Sequence, residues 1–249
     1  MTELRLDKIL VDRKLVSSRV RAEQIIQEFG VLVNGKLITK TGKKFPDDVE
    51  ITMISEEIPW VSKGALKLLA AIEKWTLTCE ELVFIDLGAS TGGFTEVLLS
   101  NNANKVYCVD VGTNQLHSKI KSDPRIINLE KTHVRELTTK LIPELVDGLV
   151  VDVSFISLDK VIPFVHSFLK ENAEVILLIK PQFEVGKPNL NKHGIVTESN
   201  LYPIVIERII EMCKVNNLIY LDHIESPILG GDGNREFLGY FRKKETQNS

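Results

Sequence analysis

Apolar residues recur along the chain in three patterns. Near the start they follow helical spacing, with Leu6, Ile9 and Leu10, then Ala22, Ile25, Ile26 and Phe29 on one face. Ser17 or Ser18 is placed to N-cap the second helix, and Gly30 to end it. Then the pattern switches to alternation. Val31-Leu32-Val33, Asn34-Gly35 and Lys36-Leu37-Ile38 predict a hairpin with a type I′ turn, and Val49, Ile51 and Met53 a further strand. Beyond a helix expected over 64–74, the apolar runs become continuous, at 82–87, 105–111, 125–129, 148–153 and 174–179, with helical stretches between most of them. Strands alternating with helices predict a parallel α/β sheet. The last two runs, 218–224 and 236–241, are separated only by a glycine-rich loop. That leaves no room for a crossover helix, so this pair should be antiparallel.

The polar, proline-broken stretch 55–59 marks a boundary, giving a head at 1–57, a linker at 58–63 and a body at 64–249. Trp60 reads as a packing residue. With 43% hydrophobic and 26% charged residues, the 249-residue chain is not disordered. No apolar run approaches the ~20 residues that span a bilayer, so no membrane role is expected. The charged opening MTELRLDK has no signal-peptide core. Cys79, Cys108 and Cys213 are scattered, which excludes a disulfide framework or cysteine-rich zinc site and fits the cytoplasm. The net charge of -3 argues against a protein that coats nucleic acid. It hides an asymmetry, however. Residues 1–44 carry +5 and the remainder −8. A basic head on an acidic body points to a polyanion partner, or equally to a solvated face.

Arg19 and Arg21 stand in the first turn of the second helix, where cations oppose the helix dipole. A local rule broken in this way marks a place with another task. Two short helices followed by a hairpin through Val33-Asn34-Gly35, with Arg5-Leu6-Asp7 and Ser18-Arg19 in order, resemble the αL (S4-like) RNA-binding module. The resemblance covers residues 4 to 53 and implies that Arg5, Arg19, Arg21, Lys36 and Lys40 contact RNA phosphates.

The turn after the first continuous run reads Gly88-Ala89-Ser90-Thr91-Gly92-Gly93-Phe94-Thr95. It is neither the G-x-G-x-x-G of a dinucleotide site nor a phosphate loop. Asp110, at the end of the next strand, is placed to accept both hydroxyls of a ribose, while Asp86 and the turn amides could hold an amino-acid group. Together these point to S-adenosyl-L-methionine rather than a nicotinamide cofactor. Gly88, Ser90, Gly92, Gly93, Phe94 and Thr95 are its expected cradle, and Phe155 stacks on cofactor or base or else belongs to the core. Asp152 and Lys180 close the fourth and fifth strands, and Glu236 begins the antiparallel one. All three therefore fall at the ligand edge of the sheet.

The strings Asp-Leu-Gly-Ala-Ser-Thr-Gly-Gly-Phe-Thr, Asp-Val-Ser-Phe-Ile-Ser-Leu, Lys-Pro-Gln-Phe-Glu and Gly-Asn-Arg-Glu-Phe resemble the TlyA family, also known as hemolysin A. Its members are ribosomal RNA (cytidine-2′-O)-methyltransferases with an FtsJ-like catalytic domain. The resemblance covers nearly the whole chain. It implies a Rossmann-like class I methyltransferase fold, a mostly parallel seven-stranded sheet with the last strand antiparallel, behind the small α+β head. It implies ribosomal RNA and ribosomal subunits as partners. Matched string by string, the family's Lys-Asp-Lys-Glu tetrad falls on Lys67, Asp152, Lys180 and Glu236. Three strings depart from the family: Ser62-Lys63-Gly64-Ala65 where it has Ser-Arg-Gly-Gly, His133-Val134-Arg135 for Asn-Ala-Arg, and His193-Gly194-Ile195-Val196 for Gly-Gly-Val-Val.

A ribose hydroxyl is a very weak acid, so its proton must leave as the new bond forms. Lys180 either accepts that proton, which requires a neutral amine, or acts while charged by position and electrostatics. The loop 186–194 reads as a mobile segment or an ordinary surface loop. Two other functions are open to test. A pore-forming hemolysin needs a membrane-active segment, which the sequence lacks, and a non-catalytic RNA-binding factor has no need of the tetrad.

Overall fold

The computed structural model describes residues 3–16, 19–53, 60–231 and 233–245; Ser17, Ser18, the junction 55–59 and the side chain of Arg21 lie outside the described residues. The chain divides into two compact units, 1–63 and 64–249.

In the first unit, α1 (Leu6–Asp12) and α2 (Arg19–Glu28) bury the apolar stripe read from the sequence, with Leu6, Leu10, Ala22, Ile25 and Ile26 in one cluster. The stripe packs with Val31 and Val33 of β2 (Val31–Val33). β2 pairs with β3 (Lys36–Ile38) across Asn34 and Gly35, whose φ values of 49° and 72° are those of a type I′ turn. β5 (Ile51–Met53) completes a three-stranded sheet of order β3-β2-β5. Gly30 closes α2 with φ 75°, its N–H bonded to the Ile26 carbonyl at 3.1 Å. A second pairing, β1 (Glu3–Arg5) against β4 (Lys44–Pro46), has no signal in the residue pattern. Three residues a side are too few to show a period.

The second unit is a seven-stranded sheet of order β11-β12-β10-β9-β6-β7-β8. Its strands are β6 (Val83–Leu87), β7 (Lys105–Val109), β8 (Ile126–Leu129), β9 (Val146–Val151), β10 (Leu169–Ile179), β11 (Leu218–Glu225) and β12 (Phe237–Lys243). β7, β8, β9 and β10 run parallel with β6, and β12 lies antiparallel between β10 and β11. Every residue of β6 is buried, as a central strand covered on both faces requires. β10 starts at Leu169 rather than at 174. A register shift and the left-handed Asn172 (φ 61°) separate its polar beginning from its apolar end, so the hydrophobic run shows only the second half. No α-helix joins β8 to β9; a single 3₁₀ turn, Val134–Glu136, stands there.

β6 is followed by β7 on one side and bordered by β9 on the other. The chain direction across the sheet reverses there, and a crevice opens beyond the carboxyl ends of those strands. α3 (Ala65–Trp75) and α4 (Gly93–Ser100) cover the sheet nearby, α3 burying Ala65, Leu68 and Ala71 and, against its apolar stripe, Lys67. α5 (Ser118–Lys121) and α6 (Ile162–Val165) are single turns, and α7 (Leu201–Val215) buries Val205, Ile206, Ile209 and Cys213.

Candidate active site

A cavity of about 680 Å³ occupies the crevice, within the range of small-molecule sites. Its floor carries Gly88 and Ser90 from the turn after β6, and Asp110 just beyond β7. The Asp110 carboxylate is fixed in place. Its Oδ2 accepts the Ser90 N–H at 2.8 Å and its Oδ1 the Gly112 N–H at 2.7 Å. Held so, it has lone pairs left for vicinal hydroxyls, while Val134, Ile156 and Val161 offer apolar wall to a flat ring. This donor and surface set fits a nucleoside-bearing cofactor. At Gly88 (φ 83°) an added Cβ would stand 2.4 Å from the carbonyl oxygen of Asp152, so only glycine lets the two loops close.

Five of the expected cradle residues do not reach this cavity. Gly92 has φ 91°, a conformation that L side chains rarely adopt, and a Cβ there would fall 2.2 Å from Ile120 Cδ1. Gly93 and Phe94 are buried in the first turn of α4. Thr95 is buried behind the turn, where its hydroxyl donates to Asp86 Oδ2 at 2.6 Å. Asp86 has no exposed surface and its Oδ1 has no hydrogen-bond partner. Burial pushes its carboxyl up to about 7, against the Thr95 hydrogen bond. These five are not among the residues lining this cavity, and the Thr95–Asp86 hydrogen bond ties the first turn of α4 to β6.

The four charged residues assemble into two ion pairs. Lys67 Nζ lies 2.6 Å from Glu236 Oε2, both buried, and Lys180 Nζ lies 2.6 Å from Asp152 Oδ1. Lys180 also donates to Ser154 Oγ at 2.7 Å. Gln182 Nε2 donates to Glu236 Oε1 at 3.3 Å, while its Oε1 is buried without a hydrogen-bond partner. Asp152 and Ser154 line the cavity, so the Lys180 pair stands at its mouth. With one recorded hydrogen bond, to Ser154, and an ion pair with Asp152, Lys180 keeps donor capacity for an incoming oxygen.

Phe155 is not core. It is 91% exposed, lines the cavity, and sits 5.2 Å from the Phe183 ring. Its φ of 64° is rare for an aromatic residue and costs roughly 1–3 kcal/mol. The loop 186–194 is held in place by a bridge between Leu190 and Val196 and by buried Asn234, which bonds the Gly194 carbonyl and the Val196 N–H. Sequence reasoning missed Ser154, Gln182 and the cavity wall Thr132-His133-Val134. His133 Nδ1 accepts the Arg135 N–H at 3.2 Å, which leaves the ring proton on Nε2. Its departure from the family string was the available signal.

In the first unit the arginines have structural partners. Asp7 is fully buried in α1, and Arg5 grips it with two hydrogen bonds of 3.0 Å while Arg19 adds one of 2.8 Å. Burial opposes the charged form, but these hydrogen bonds outweigh it and hold the carboxyl well below the usual carboxylate range. The odd position of Arg19 thus has a local explanation, and Arg5 and Arg19 are not free cations. Arg13 is likewise engaged, with the carbonyls of Val49 and Asp47. Lys36 and Lys40 are exposed and have no ion-pair partner among the described residues.

Comparison with known proteins agrees with this geometry. The FtsJ-like methyltransferase family profile matches residues 60–243, and the S4 domain profile residues 4–51. The 16S/23S rRNA (cytidine-2′-O)-methyltransferase TlyA of Mycobacterium tuberculosis is 36% identical over 96% of this chain and 89% of its own. Hemolysin A of Brachyspira hyodysenteriae is 33% identical over 96% of this chain and 99% of its own. A solved structure described as a hemolysin from Streptococcus thermophilus superposes with a TM-score of 0.77 at 36% identity, covering 99% of this chain and 90% of that one. Among the described residues, no helix is long and apolar enough to cross a membrane.

Proposed function

The chain belongs to the FtsJ-like methyltransferase family, and from that premise we propose that it methylates the 2′-hydroxyl of a cytidine ribose in ribosomal RNA, within a ribosomal subunit in the cytoplasm. S-adenosyl-L-methionine, when bound, supplies an electrophilic methyl group. The observation that carries this reading is the Lys180–Asp152 pair, at the mouth of a cavity whose floor presents the oriented Asp110.

Each residue then has a task. Asp110 orients the cofactor's ribose through both hydroxyls, and Gly88 lets the Asp152 loop close on it. Lys180, steadied by Asp152 and Ser154, directs its remaining donor at the nucleophilic oxygen and stabilises the alkoxide character that grows as the proton departs. Lys67, Glu236 and Gln182 form a hydrogen-bonded group that completes the tetrad. Phe155 offers an exposed aromatic face for a nucleobase. Lys36 and Lys40 supply positive charge for RNA phosphate in the S4 unit, with Arg5 and Arg19 braced on Asp7 beside it and Arg21 kept as an expected RNA contact.

Transfer of labelled methyl groups from S-adenosyl-L-methionine to ribosomal RNA tests the reading, with the product nucleotide mapped. Lys180→Ala should abolish transfer and leave cofactor affinity within about twofold. Equal loss of both would defeat the role given to Lys180.

A further inference from the structure

The catalytic loops are tied together a second time, behind the ion pairs. Glu184 follows the 3₁₀ turn Pro181–Phe183 that begins at Lys180. Its side chain is 2% exposed. One oxygen, Oε1, accepts the Leu158 N–H at 2.9 Å, and Oε2 accepts the Ser157 hydroxyl at 2.6 Å. Oε2 also receives Arg208 of α7. A single carboxylate therefore joins three pieces of chain: the loop after β10, the loop after β9, and α7.

The loop after β9 is consequently pinned at both ends. At its start Asp152 pairs with Lys180 through its carboxylate and donates its N–H to the Leu87 carbonyl at 2.9 Å, while Ser154 receives the Lys180 hydrogen bond. At its end Ser157 and Leu158 are fixed by Glu184. Between the pins stands Phe155 in its left-handed conformation. Such strain persists only where the surroundings over-determine the backbone. Burying a carboxylate is itself unfavourable, and an apolar residue would fill the space at less expense. What an apolar residue lacks is the ability to fix two donors on one loop at defined positions.

We propose that Glu184 is a positioning residue for methyl transfer. It splints the loop bearing Asp152, Ser154 and Phe155 against the loop bearing Lys180, and so sets the Lys180–Asp152 geometry. The inference rests on the methyl-transfer reading above. Its own structural consequence, the pinned end of the loop, is measurable without turnover.

The test uses the full-length chain carrying Glu184→Gln, with Ser157→Ala as a milder variant that removes one hydrogen bond and keeps the buried carboxylate. Single-turnover methyl transfer to ribosomal RNA should slow about 10- to 100-fold in Glu184→Gln and less in Ser157→Ala. The RNA concentration at half-maximal rate and the S-adenosyl-L-methionine Kd should stay within about threefold. Amide hydrogen exchange at Leu158 should quicken in Glu184→Gln while exchange in β6 stays slow. Unchanged turnover in both variants, or a rate that falls only in step with cofactor affinity and β6 protection, overturns the proposal. If wild-type protein transfers no methyl group while Leu158 behaves as described, the methyl-transfer reading fails and takes the catalytic role of Glu184 with it.

Discussion

The S4 unit and the tetrad of the methyltransferase unit hold their carboxylates in different ways. In the S4 unit, buried Asp7 is gripped by two arginines, one of them through paired hydrogen bonds. In the tetrad, buried Glu236 and half-buried Asp152 each face one lysine, while Glu184, outside the tetrad, takes an arginine as Asp7 does. A guanidinium is planar, rigid and permanently charged, suited to locking a fold. An ammonium is compact, with three donors that can be redirected, suited to meeting a substrate while anchored. A third carboxylate, Asp86, lies deep beneath the cofactor turn with no cation beside it and is kept within reach of neutrality by burial. What each carboxylate is given separates scaffold from chemistry.

Exchanging the cations would break that contrast most severely. Lys180→Arg keeps the charge but replaces the compact donor with a broad fork. Single-turnover methyl transfer should fall at least about 100-fold with the cofactor Kd nearly unchanged; activity close to wild type would mean that charge alone suffices.

Asp86 gives the next largest effect. Its folded-state pKa of about 7 lies above the ordinary 3.8, so the folded chain keeps a proton there that the unfolded chain releases. The associated stability is present at low pH and is lost as pH rises from about 4 through about 7. The difference in unfolding free energy between Asp86→Asn and wild type should shift by on the order of 2–4 kcal/mol in favour of the variant between about pH 5 and pH 8. A flat difference curve would show that Asp86 is ionised throughout.

In the S4 unit the sign is reversed. Asp7 titrates below its unfolded value, so its contribution holds at neutral pH and disappears only as pH falls through the depressed folded pKa. Arg5→Lys, which cannot reproduce the paired hydrogen bonds, should speed amide exchange in residues 4–53 about tenfold and leave cofactor affinity untouched. Equal exchange would place the arginine clamp among dispensable surface pairs.

The smallest effects belong to the free lysines. Lys36→Gln and Lys40→Gln should each weaken RNA binding only several-fold and reduce the salt dependence by roughly one counterion. A loss of methyl-transfer rate at saturating RNA would contradict a purely docking role.

Much of this was legible in the residue order. The Asn34-Gly35 turn, the strand–glycine turn–helix at 83–100 and the antiparallel β11–β12 pair each follow from short-range chemistry. The site residues at strand ends followed from topology, because an α/β sheet delivers them to one edge. The rest depended on partners remote in sequence. Arg19 reads as a misplaced cation until Asp7, in another helix, is seen beneath it. Gly92 stands in the string as one more turn glycine, and its packing against Ile120 shows only in three dimensions. Phe155 is an ordinary apolar residue in the string, and only its backbone angle turns it outward. Glu184 closes a short turn whose two partners lie 26 and 27 residues away.

The close approach at Gly88 has a consequence for anyone wishing to re-engineer the cavity. Backbone meets backbone there, with no side chain to trim and no room to add one. An enlarged pocket for a bulkier sulfonium donor cannot be carved from that side without disturbing Asp152. The opposite wall, at Thr132, Val134 and Ile156, consists of side chains and is the surface from which volume can be removed.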